Sequence, residues 1–211
     1  MRPLGFMVAD KNMEASLLGL FGRDDWHRSM DCAPVDVVQD DVHVASGQAD
    51  CGLYTRGNEL LRPLAGQYEH MVIMVDAEWE GSPGAVLIRK QMAKHLISAG
   101  WANDRGLALV FEPEVDVWLW TRTDHTARAL GWPNWSALEA ALDADARWSA
   151  SEAKPRRPKE LAEWALRHQR KARSSLVYRR VAENVGLGRC TDPAFQRLRD
   201  ALQRWFPPRS S

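Results

Sequence analysis

Apolar residues run unbroken from Met71 to Val75, and this run predicts a strand buried on both faces. It passes into three acids, Asp76, Glu78 and Glu80, and is closed by Gly81, Pro83 and Gly84. Two other runs repeat the pattern: Leu4 to Ala9 ends at Asp10, and Gly106 to Phe111 ends at Glu112, Glu114 and Asp116. Between the runs, apolar residues return at helical spacing. Met13, Leu17, Leu18 and Phe21 form one helix, with Asn12 placed to cap it and Glu14 in its first turn. Leu60, Leu61 and Leu64 belong to a second, within 53–68 and ended near Pro63, and positions 85, 88, 92, 96 and 97 to a third, stopped by Gly100. Val35 to Val44 reads as one or two strands, and Ser46 to Gly52 as a turn-rich loop carrying Asp50. Strands alternating with helices imply an α/β fold with a mostly parallel sheet and right-handed connections. Three acidic strand ends then meet at the edge where open α/β sheets bind ligands.

Beyond Trp120 the pattern becomes helical. Ser136 to Leu142, Leu161 to Val181 and 193–206 have helical periodicity, the last capped by Asp192. Gly131 to Trp135 is a turn, and Lys154-Pro-Arg-Arg-Pro-Lys-Glu160 is extended, because each proline disfavours helix at the residue before it. The expected organisation is an α/β core over 1–120 with a Trp- and Arg-rich helical extension over 121–211 packed on it. Trp132, Trp135 and Trp148 either pack in the interior or stack on bases.

Composition narrows the class. With 45% hydrophobic and 27% charged residues among 211, the chain suits one full core. Three cysteines without CxxC spacing support neither a disulfide framework nor a zinc knuckle, so reduced thiols in a cytoplasmic protein are expected. No stretch reaches the roughly 18 apolar residues of a membrane span, and no GxxxxGK[ST] loop supports an ATPase. The zero net charge hides a split: from Thr121 onward 18 Lys and Arg face 10 Asp and Glu, so the first 120 residues are acidic and the rest basic.

Two groups carry candidate chemistry. Alternating acids after the central strand share one side if the strand continues, and they suit a hard divalent metal; otherwise they form a solvated acidic turn. His27 with Asp24, Asp25 and Asp31 lacks the spacing of a helix-borne zinc site. Between Lys154 and Arg180 there are ten Lys or Arg and two acids, which is either a phosphate-binding surface or a solvated face offsetting the acidic half. Lys154, Arg156, Arg157, Lys159, Arg170 and Lys171 are its candidate contacts to DNA or RNA.

The segments Phe6-Met-Val-Ala-Asp-Lys-Asn-Met-Glu14, Asp76-Ala-Glu78 with Gly81, and Val110-Phe-Glu-Pro-Glu-Val-Asp-Val-Trp118 resemble the TOPRIM-like family of topoisomerases, primases and overcoming-lysogenization-defect nucleases. Lys154-Pro, Pro158-Lys159 and Trp205-Phe-Pro207 are similar to a branch that includes a small component of bacterial methylation-associated anti-phage defence systems. Relatives carry Glu-Gly directly after the first strand and a second Asp in the later pair, where this chain has Ala9-Asp10 and Glu78. The resemblance implies a TOPRIM-like, mostly parallel sheet flanked by helices. It also implies Mg²⁺ or Mn²⁺ held by Asp10, Glu14, Asp76 and Glu78, and phosphodiester chemistry by Asp76, Glu78 and Glu114. Other subunits of a defence system are the implied protein partners. The different-class alternative is a non-catalytic adaptor with a degenerate site; a third reading is an enzyme of small phosphate esters.

Overall fold

The computed structural model describes residues 1–45, 49–102, 104–149, 151–188 and 190–208. Among them, β1 (Arg2–Val8), β2 (Val42–Val44), β3 (Tyr68–Asp76) and β4 (Gly106–Phe111) form a parallel sheet in the order β2-β1-β3-β4. Phe6 pairs with Val42 on one side and Val72 on the other, and Val72 pairs in turn with Leu107. Met71 to Val75 are wholly buried, as an unbroken apolar run flanked on both sides requires. Each such side chain stabilises the fold by about 1.5–3 kcal/mol.

The helices α1 (Lys11–Phe21), α2 (Trp26–Met30), α3 (Ala49–Leu61) and α4 (Ala85–Ser98) connect the strands. Asp10, in extended conformation, caps α1 by accepting the N–H groups of Asn12 and Met13, both at 2.9 Å. The cap therefore lies two residues before the expected Asn12, whose own amide donates to Asp10 at 3.1 Å. Of the apolar stretch 35–44 only Val42–Val44 is strand. Asp41 turns inward there, pairs with Arg2 at 2.6 Å and accepts the Val38 N–H, which coils the chain before it into a 3-10 turn. Ser46 to Gln48 of the expected loop lie outside the described residues, and from Ala49 the chain is already α3.

The C-terminal part contributes α5 (Asp124–Ala129), α6 (Trp135–Ala144), α7 (Pro158–His168), α8 (Ser175–Asn184) and α9 (Pro193–Trp205). The single helix expected over 161–181 is broken. Arg170 takes a left-handed conformation (φ 52°), the Lys171 N–H closes back on Leu166 O, and α8 starts afresh. Pro158 suits the first position of α7, and Asp192 caps α9 through the Phe195 N–H, as its sequence predicts. α8 lies against α1 so closely that a Cβ on Gly19 would meet Arg179 O at 2.5 Å. Trp148 is buried and meets Trp120 edge-on, while Trp132 and Trp135 are half-buried at helix contacts, so packing occupies all three expected tryptophans. Among the described residues no helix is long and apolar enough to cross a membrane.

One buried ionic group ties the two stretches together. Asp116, 1% exposed, accepts two bonds from Arg173 Nη2 at 2.9 and 2.8 Å and one from the Tyr178 hydroxyl at 2.6 Å. Arg173 Nε donates to the same hydroxyl at 2.7 Å. Removing Asp116 leaves the buried Tyr178 hydroxyl without its acceptor and the partly exposed Arg173 without its counter-charge. Asp116→Ala is expected to lower unfolding stability by about 3–5 kcal/mol, whereas Asp116→Leu combined with Arg173→Met restores much of that loss; urea unfolding of both variants checks this.

Candidate functional site

The carboxyl edge of the sheet gathers acids from four places. Asp10 follows β1, Asp76 is the last residue of β3, and Glu114 lies just past β4. Because β1, β3 and β4 are parallel neighbours, their acidic ends face one edge as expected. The fourth acid is Asp50, in the first turn of α3 where the sequence pattern predicts a loop. Its only signal was an acid shortly after a strand, too common to single out.

Asp76 is the centre of the group. Asp50 Oδ1 accepts the Asp76 backbone N–H at 2.7 Å, and Asp76 Oδ1 accepts the Val115 N–H at 2.7 Å. Two backbone contacts thus fix it between α3 and the loop after β4. Burial, followed by the charge of Asp50, pushes the Asp76 carboxyl well above the usual range; Asp10 and Glu114 add to this, and the Val115 N–H opposes it. Burial also raises Asp50, with Asp10 adding and the Asp76 N–H and Lys159 opposing. Glu114 is raised by burial and Asp116, against the pull of Lys159. Lys159, in the first turn of α7, also donates its backbone N–H to Glu114 Oε1 at 3.2 Å. The arrangement is a set of carboxylates in mutual repulsion with one lysine acting on it from the C-terminal part.

Two predicted ligands stand apart. Glu14 is buried one helical turn beyond Asp10 and pairs with Lys11 Nζ at 2.8 Å. Glu78 is exposed: the chain leaves the strand after Asp76, with the Ala77 and Glu78 N–H groups both bonded to Pro113 O, so the strand alternation that would align Glu78 with Asp76 ends first. The basic candidates also divide. Lys154 turns inward, donating to Val117 O at 3.0 Å and Trp120 O at 2.8 Å. Arg156 pairs with Glu152 and Arg157 with Glu160, Lys171 lies over Gly131, and Arg170 is exposed. Of the six, Lys159 is the one whose charge bears on Asp50 and Glu114.

Among the described residues, no three His, Cys, Asp or Glu side chains form a group able to hold a metal ion. The donor chemistry at Asp76, all carboxylate oxygen under mutual repulsion, nonetheless suits a hard cation. Mg²⁺ commonly takes only one or two carboxylates, completing its shell with water and substrate phosphate. Asp76 with Asp10 or Asp50 would supply those carboxylates.

The chain matches no protein-family model, no curated protein and no solved structure.

An acid raised on folding makes the native state bind more protons than the unfolded chain between the ordinary carboxylate range, near 3.9 for Asp, and its own higher value. Stability from Asp76 is therefore lost as pH rises through that interval. Asp76→Asn is expected to melt higher than the wild type at pH 7, with the gap closing toward pH 4; thermal melts across that range check it.

Proposed function

We propose that the chain is a TOPRIM-like protein that binds Mg²⁺ or Mn²⁺ at Asp76 with Asp10 and Asp50, and acts on the phosphodiester backbone of DNA or RNA. The observation that carries this reading is the pinned, charge-crowded Asp76 at the carboxyl edge of a parallel sheet, with Lys159 acting on the same carboxylates. A divalent ion there supplies charge neutralisation for its carboxylates and for a bound phosphate. Lys159 adds a point charge for a phosphate oxygen, and Glu114, with its raised proton affinity, is suited to exchange a proton with a nearby water. The setting, a component of a bacterial anti-phage defence system working with other subunits, rests on the family resemblance alone.

The exposed position of Glu78, apart from Asp76, favours a second reading, in which the same fold serves as a non-catalytic adaptor with a degenerate site. Calorimetry with Mg²⁺ and Mn²⁺, with cleavage assays on single- and double-stranded DNA and RNA run on the same samples, separates the two. Asp76→Ala is expected to weaken metal binding at least tenfold (about 1.4 kcal/mol) and abolish cleavage while remaining folded, and Glu14→Gln to leave both unchanged. Metal binding without cleavage of any substrate supports the adaptor; unaltered metal affinity in folded Asp76→Ala defeats the proposed site.

A further inference from the structure

A cavity of about 330 Å³ opens between α1, α8 and the 3-10 turn Val115–Leu119, and none of the clustered carboxylates lines it. Its size falls at the low end of the roughly 300–1,000 Å³ typical of small-molecule sites. Aromatic and aliphatic side chains make most of its wall, among them Trp118, Trp120, Tyr178, Val185 and Phe195. The indole N–H groups are already satisfied, Trp118 by Asp192 at 2.9 Å and Trp120 by Pro158 O at 2.8 Å, so neither demands a polar partner inside. Trp120 and Tyr178 are each 1% exposed, and such walls are held in shape before any ligand arrives.

Two cations reach this wall. Arg122 is spoken for: it contacts Glu139 at 3.3 Å and the carbonyls of Ser149 and Glu152 at 2.9 and 3.0 Å. Lys154 is not. Its ammonium bonds to the Val117 and Trp120 carbonyls, which use two of three N–H donors, and among the described residues no carboxylate forms an ion pair with it. A largely enclosed ammonium that forms no direct ion pair, with Asp192 acting on it only through space, keeps one donor for a complementary molecule against an aromatic wall. We propose that the cavity binds a planar aromatic compound bearing one carboxylate, its ring among the tryptophans and its anion on the third N–H of Lys154. Burial acts against the charge on Lys154 and outweighs the opposing effect of Cys190 and Asp192, and an incoming carboxylate offsets what remains.

The test uses indole-3-acetate and its neutral analogue indole-3-acetamide, titrated into the whole chain by calorimetry and by ligand-observed NMR. Indole-3-acetate is expected to bind with a Kd below about 1 mM and at least tenfold more tightly than the amide. Lys154→Met should erase that preference without weakening the amide, and Val185→Trp, which fills the cavity, should abolish binding of both. Absence of saturable binding by indole-3-acetate overturns the proposal, as does equal affinity for acid and amide. Unchanged affinity in a folded Val185→Trp variant removes the site from this cavity. If Lys154→Met fails to fold, the acid-to-amide ratio on the wild type and the Val185→Trp titration decide.

Discussion

The buried contact of Asp116 with Arg173 and Tyr178 is the constraint from which the rest follows. A loop leaving a parallel strand has no ladder to define it, and the segment after β4 must nevertheless hold Glu114 and the Val115 N–H beside Asp76. Asp116 anchors that segment one residue further on, beneath α8, in a setting where a displaced charge would find no water. The order of dependence runs from α8 to Asp116, from Asp116 to Val115, and from Val115 to Asp76 and Asp50. Lys154 secures the far side of the same turn through the carbonyls of Val117 and Trp120. Part of the basic half thus serves to hold the acidic half in shape, by charge and by hydrogen bonds alike.

Strand positions and the acidic edge were legible in the sequence because both depend on short-range signals. An unbroken apolar run such as Met71 to Val75 has few other fates, and parallel neighbours bring their ends together without further information. What was not legible depended on partners distant in the chain. Asp41 was lost within an apparent strand because its pairing with Arg2 spans 39 positions. The helix expected over 161–181 breaks at the left-handed Arg170, and the segment after the break carries Arg173 to Asp116, 57 positions away, a contact of which periodicity carries no trace. Glu78 looked equivalent to Asp76 on the assumption that the strand continued, and the bonds of Ala77 and Glu78 to Pro113 end it first. Lys154 and Lys159 read alike as basic residues of one extended segment, yet one faces inward to backbone carbonyls and the other lies at the start of a helix beside the carboxylates. Charge counting could not separate them, since burial rather than sequence spacing decides which cation is available.

The acids of the site are held together against their own repulsion. Asp50 and Asp76 would be less crowded if either were an amide, and the native state carries that repulsion in exchange for a locus of negative potential. Backbone N–H groups keep the arrangement in place: each carboxylate accepts one from a different segment, so relaxing the repulsion would require moving α3 or the loop after β4.

The origin of Lys159 has a consequence for how such a chain can diverge. The acids that define the edge come from the sheet and its connections, whereas the cation acting on them arrives on α7, beyond a long excursion through α5 and α6. The start of α7 is tied to the sheet side by the Trp120 indole on Pro158 O and by the Lys159 N–H on Glu114, so that excursion can change in length while the cation keeps its place. The acids and the cation acting on them thus sit on separate parts of the chain, joined by a path between residues 120 and 158 whose two ends are held together while its middle is left free to vary in length.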